Sequence, residues 1–261
     1  MKQIPNLFTL LNLVFGCIAI VFVLQQGVLL LPLDDTGNIL ITPLELENTP
    51  EKIVLASLFI GLAGLVDFLD GFIARLFKAS SELGKQLDSL ADVVSFGVAP
   101  SMIVYQFLRM SYAQEAGGLD VSFLLLVPAF FIAAAAAYRL GKFNLDNSQA
   151  YGFRGVPTPA VGLMIASFPL IHWFAESTAI TNLLLNKWFW YALIVLVCYL
   201  MTSSHPMLAL KFKGLTMRSA MPFIVIGVIG LVAIFLMKWM AVPIIFIAYV
   251  LVSLLFKNNT T

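Results

Sequence analysis

The stretch VDFLDGFIARLFKASSELGKQLDSLADVVSFG, residues 66–97, sets four aspartates, Asp67, Asp70, Asp88 and Asp92, among long apolar runs. Helical spacing lets the four converge. Asp67, Asp70, Gly71 and Ala74 fall at i, i+3, i+4 and i+7, one face of a helix. Gly84, Asp88 and Asp92 fall at i, i+4 and i+8, again one face. The polar KASSELG between them can turn. Two antiparallel helices would then present two carboxylates each to one cleft.

The rest of the chain makes that cleft unusual. Of 261 residues, 61% are hydrophobic and 11% charged, beyond an ordinary soluble domain. The expected fold is all-α: a polytopic integral membrane bundle of about eight spanning helices, forming a single domain over 1–261. A spanning helix needs roughly 20 apolar residues. Segments 8–31, 53–76, 84–108, 121–141, 157–174, 188–204, 220–237 and 239–256 qualify, the last two parted by a tight turn at Lys238-Trp239. Residues 1–7, MKQIPNL, read as a short interfacial approach. With the N-terminus in the cytoplasm, 11 Lys and Arg lie on that side and 4 on the other, a positive-inside bias. The acidic loop 34–51 then lies outside, and the aspartates sit at the cytoplasmic end.

Net charge of +1 offers nucleic acid no basic surface. Cys17 and Cys198 lie far apart in apolar runs and read as packing residues. Trp173, Trp188, Trp190 and Trp239 fall near segment ends, as an interfacial aromatic belt would. Gly61 and Gly64 read as close helix contacts.

Four ionised carboxylates in one cleft repel one another, and divalent cations relieve that repulsion. Oxygen-only ligands suit hard ions such as Mg²⁺ or Mn²⁺ rather than zinc, and two such ions form a clamp for in-line displacement at phosphorus. Arg75 is a cation beside the cluster suited to phosphate oxygens. Asp67–Arg75 and Asp88–Lys85 are also placed to form ordinary ion pairs. An acidic cation-transport path is the other class of reading, but it would spread its carboxylates across the membrane rather than gather them at one face.

The pattern D-x2-D-G-x2-A-R-x8-G-x3-D-x3-D, complete from Asp67 to Asp92, resembles the signature of the CDP-alcohol phosphatidyltransferase family. The resemblance implies an integral membrane enzyme that joins a CDP-linked lipid to an alcohol and releases CMP. It implies Asp67, Asp70 and Asp88 as metal ligands, with Asp92 as general base that also touches a metal. It implies that Gly71, Ala74, Arg75 and Gly84 line the nucleotide pocket. SFGVAP (95–100), YRLGKFN (138–144), GFRGVPTPA (152–160) and the opening IPNLFTLLNLVFG look like the phosphatidylserine synthase branch. That branch implies CDP-diacylglycerol and L-serine as substrates, a homodimer, and a site facing the cytoplasm from the inner membrane.

A serine carboxylate entering a dry site needs a cation. Arg139 is the expected clamp, helped by Lys142 and Arg154. Glycerol 3-phosphate or an inositol-type acceptor would ask for the same cations, so charge leaves these acceptors open. Asn6, Thr9 and Asn12, at i, i+3 and i+6, can hydrogen-bond nucleotide or diphosphate, though Asn6 also suits a helix cap.

Overall fold

The computed structural model describes residues 4–25, 52–77, 81–115, 121–145, 153–174, 176–208 and 217–255. Helix α1 (Ile4–Leu24) carries Pro5 in its first turn, where a missing N–H costs nothing. Residues 4–7 therefore belong to the spanning helix, and the separate interfacial segment expected over 1–7 is not formed by them. The described helix ends at Leu24, and residues 26–31 of the expected first segment lie outside the described residues. Helix α2 is Lys52–Leu76. The acidic 34–51 loop and residues 78–80 of the polar turn lie outside the described residues.

Ser81 starts the next span. Its side chain accepts from the Gly84 N–H at 3.0 Å, an N-cap bond that satisfies one of the donors a helix start leaves open. The span runs as α3 (Glu82–Asp92), a π-helical segment Val93–Val98 and α4 (Ala99–Ala113). In the π segment the ladder lengthens by one residue, so that the Ala99 N–H reaches Val94 O. Then follow α5 (Phe123–Leu126), a 3₁₀ turn at Val127–Phe130 and α6 (Phe131–Leu145). Strand β1 (Phe153–Arg154) leads into α7 (Thr158–Phe174). Short α8 (Thr178–Leu184) meets α9 (Lys187–Thr202) at a 65° bend. Strand β2 (Pro206–Met207) precedes α10 (Met217–Met237) and α11 (Ala241–Leu255).

Among the described residues five stretches are long and apolar enough to cross a bilayer, or six if the bent pair counts as one. One of them, Met221–Leu255, breaks at a 3₁₀ turn, Lys238–Met240, where Lys238 takes φ 50°. Beyond the break the chain doubles back: a Cβ on Gly230 would lie 3.3 Å from Ile245. Fifteen residues of straight helix would put those two positions roughly 22 Å apart, so α10 and α11 form a hairpin.

Lipid tails give helices no hydrophobic reason to associate, so close packing must hold the bundle. The π segment is where that packing is tightest. A Cβ on Gly16 of α1 would collide with Ser95, and one on Gly162 of α7 would stand 2.8 Å from the Phe96 backbone. Gly97 faces Ala136 of α6, its Cβ position 3.1 Å from the alanine methyl. Three helices thus close on one turn because small residues face it.

At the other end Phe107 stacks on Trp190 at 4.7 Å, and Trp190 Nε1 donates to Leu184 O at 2.7 Å. Trp190 is fully buried. It is a core anchor and not part of the interfacial belt; its helix starts at Lys187, which turns position 190 inward. Gly64 packs on Leu163, whereas Gly61 faces open space and makes no close contact. Cys17 is exposed on α1 rather than buried as a packing residue, whereas Cys198 is half-buried against the core.

Candidate active site

Helices α2 and α3 bring three of the four aspartates together. Carboxylate oxygens of Asp67, Asp70 and Asp88 lie within 4.8 Å of one another. Asp70 is buried and the other two are half-buried. Asp92 stands outside this trio, buried, but within electrostatic range of all three. Among the described residues no lysine or arginine pairs with any of the four. The ordinary ion pairs are therefore absent: Lys85 Nζ donates instead to Asn144 O at 3.2 Å, and Arg75 is exposed. Hard oxygen donors gathered with no counter-charge fit divalent cations.

Helix α1 holds the carboxylates from the side. Thr9 Oγ1 donates to Asp70 Oδ2 at 2.7 Å. Asn12 Nδ2 donates to Asp92 Oδ1 at 3.3 Å, and the Asn12 backbone carbonyl accepts from Ser95 Oγ at 3.0 Å. Thr9 and Asn12, read from sequence as facing nucleotide, are buried and engaged with the aspartates themselves. Asn6 lies beside Gly84, its Oδ1 3.0 Å from where a Cβ would be. Gly71, by contrast, has nothing within 4 Å of its Cβ position, so space opens beside the trio. Ala74 is half-buried on the same helix.

Arg139 enters from α6. Its side chain is 8% exposed, a buried cation with no carboxylate partner among the described residues. Its hydrogen bond from Nη1 to Thr158 Oγ1 is long, 3.5 Å, and its Nε finds no partner. Asp92 and Tyr249 are within its electrostatic range. Lys142 is exposed and shares a small depression with Tyr138, Arg139, Phe143 and residues 201–203. The Arg154 backbone is in β1; its side chain lies outside the described residues. Tyr249 was missed as a site neighbour. Thr158 had a signal, its place between Pro157 and Pro159; Tyr249 had none, being an ordinary aromatic in an apolar run.

The arrangement offers a hard-cation site, a nearby buried carboxylate held by an amide, open space beside a glycine, and a buried cation needing an anion. Comparison with known proteins agrees with it. CDP-diacylglycerol--serine O-phosphatidyltransferase of Bacillus subtilis (strain 168) is 38% identical over 115 residues, 43% of this chain and 60% of that protein. The protein of the same name in Mycobacterium tuberculosis (strain ATCC 25618 / H37Rv) is 29% identical over 212 residues, 78% of this chain and 68% of that one. Archaetidylserine synthase of Methanothermobacter thermautotrophicus is 32% identical over 120 residues, 45% of this chain and 47% of it. The chain thus spans about half the length of several curated relatives it matches. The family described as CDP-alcohol phosphatidyltransferase matches residues 2–199, most of the chain and all four aspartates, and the chain belongs to that family.

Proposed function

We propose that the protein transfers the phosphatidyl group of CDP-diacylglycerol to the hydroxyl of L-serine. The serine oxygen forms the new bond to phosphorus, the bond from phosphorus to CMP breaks, and CMP leaves. The observation that carries an anionic acceptor, serine among them, is the buried Arg139, without a carboxylate partner among the described residues and within electrostatic range of Asp92. A zwitterionic alcohol fits between them, its carboxylate on the guanidinium and its hydroxyl toward Asp92. The names of the relatives point the same way.

Asp67, Asp70 and Asp88 would hold Mg²⁺ or Mn²⁺, with Asp92 close enough to contribute. Such cations, when bound, neutralise diphosphate charge and stabilise the leaving group. Thr9 fixes the Asp70 carboxylate by its 2.7 Å hydrogen bond. Asn12 holds Asp92 by one oxygen, leaving the other to take the proton of the attacking hydroxyl. The space beside Gly71 would receive the nucleotide, bordered by Ala74, Arg75, Gly84 and Asn6. Lys142 and Arg154 would add positive charge at the acceptor's approach. In the membrane we place eight crossings, with α10 and α11 as the last two, the site facing the cytoplasm from the inner membrane, and a homodimer through the early helices.

The test is CMP release by purified protein given CDP-diacylglycerol and Mg²⁺ or Mn²⁺, with serine or glycerol 3-phosphate as acceptor. Serine-dependent release abolished by a chelator is the expected result. Release with glycerol 3-phosphate alone would overturn the acceptor and Arg139's role toward a carboxylate. No release with any alcohol from folded protein would overturn the activity.

A further inference from the structure

The span that carries Asp88 and Asp92 and the helix that carries Arg139 are held together at two levels. At the first, Asn144 of α6 meets α3. Its Nδ2 donates to Ser89 Oγ at 2.8 Å, and its backbone carbonyl accepts from Lys85 Nζ at 3.2 Å. Ser89 donates its own proton to Lys85 O at 3.2 Å, so its oxygen can accept from the amide. The last carbonyls of a helix have no partner within it, and Lys85 supplies one here. At the second level Gly97 of the π segment lies against Ala136, its Cβ position 3.1 Å from the alanine methyl. Position 89 faces 144 and position 97 faces 136, so the two chains run antiparallel. Eight residues separate the two levels on each of them.

Asp92 and Arg139 lie between these levels. Ser89 and Asp92 are three residues apart, as are Ala136 and Arg139, so each pair shares a helix face. Those faces meet at the seam, and both charged residues are buried. Counted from the Asn144 clasp, Asp92 is three residues in and Arg139 five. At about 1.5 Å per residue their heights differ by roughly 3 Å. The carboxylate and the guanidinium thus face the same part of the seam. Their own hydrogen bonds do not set its width, since Asp92 is held by Asn12 of α1 and Arg139 by Thr158 of α7. We propose that Asn144, through Ser89, is a positioning residue that sets the gap between Asp92 and Arg139, and with it the length of alcohol that fits there. This rests on the phosphatidyl-transfer reading above and adds a determinant of acceptor length to it.

The experiment compares serine with homoserine, one methylene longer, as acceptors for the full chain in detergent. It reads kcat/KM for each, KM for CDP-diacylglycerol and the melting temperature. Asn144→Ala removes the donor to Ser89. It is expected to lower the preference for serine over homoserine about tenfold, the lower end of what one methylene decides in a fitted site, with the CDP-diacylglycerol KM within about twofold. Ser89→Ala removes the acceptor of the same bond and should have the same effect, and the double variant should add little to either. Ser89→Thr keeps the hydroxyl and should keep the parent's preference. A bond that only supports the fold would lower the melting temperature and the rate with both acceptors alike. A lower melting temperature with an unchanged preference would therefore overturn the proposal, as would additive effects of the two alanines. If Asn144→Ala does not survive extraction, Ser89→Ala breaks the same bond from the other helix and carries the comparison. Should glycerol 3-phosphate prove the acceptor, serine specificity falls, but the length preference is still read between that acceptor and its homologue one carbon longer. The two failures are therefore distinct.

Discussion

Replacing Asp92 by Asn removes the proton acceptor while keeping an oxygen that the Asn12 amide can donate to. The rate of CMP release is expected to fall about 10²–10⁴-fold, with the CDP-diacylglycerol KM changed only a few-fold; an unchanged rate would remove Asp92 from the chemistry. Arg139→Gln should act on the other substrate. It removes the buried cation, so the serine KM is expected to rise by about tenfold or more, and Arg139→Lys should recover part of the loss because an ammonium lacks the planar fork. Both residues were candidates from the sequence: carboxylates at helical spacing beside glycines point to a site even in a greasy chain. The links behind them were harder to read. Thr9 and Asn12 had the right spacing to face the cleft, but spacing does not say whether a polar group meets a ligand or a neighbouring aspartate. Only the approach of α1 to the paired helices decides that.

At the scale of the element, two glycines separate folding from binding. A methyl on Gly155 would sit 2.5 Å from Met201 O, on a residue with φ of 74°. Gly155→Ala is expected to cost about 1–3 kcal/mol, seen as a lower melting temperature in detergent. Gly71→Ala meets nothing within 4 Å and should leave the melting temperature unchanged. If nucleotide occupies that space, it should instead raise the CDP-diacylglycerol KM. A drop in stability for Gly71→Ala would mean the space is closed. The helices themselves were largely readable from apolar length, and the break at Lys238 from the charge at Lys238-Trp239 between two apolar runs. The π segment, the 65° bend before α9 and the β1–β2 pair were not. Each depends on what packs across from it, and two-residue strands carry no periodicity. Trp190 misled for a related reason. Position near a segment end does not specify which face of the helix a ring occupies.

For the whole molecule, the acceptor side of the site and the Lys238 turn mark opposite ends of the bundle, since α7 runs from Thr158, on Arg139, to Phe174, which stacks on Trp239 of that turn. Cysteines placed at Lys142 and at Lys238, with Cys17 and Cys198 replaced, should react with membrane-impermeant reagent from opposite sides of sealed vesicles. Reaction from the same side would overturn the crossing of α7. Mg²⁺ or Mn²⁺ should raise the melting temperature of the parent protein, as any ligand of the folded state does, and not that of Asp70→Ala. The π segment adds a constraint of a different kind. It sits between the turn that carries Asp88 and Asp92 and the part of the span that stacks on Trp190, and it holds one residue more per turn than its flanks. Each residue of helix turns the chain by roughly 100°. Deleting any one residue between Asp92 and Ala99 would restore an unbroken α-helix and swing both aspartates out of the cleft, or else rotate Phe107 off its partner. Chain length in that interval is therefore as strictly determined as chemical identity, and a reading frame of side chains is carried through the membrane by counting.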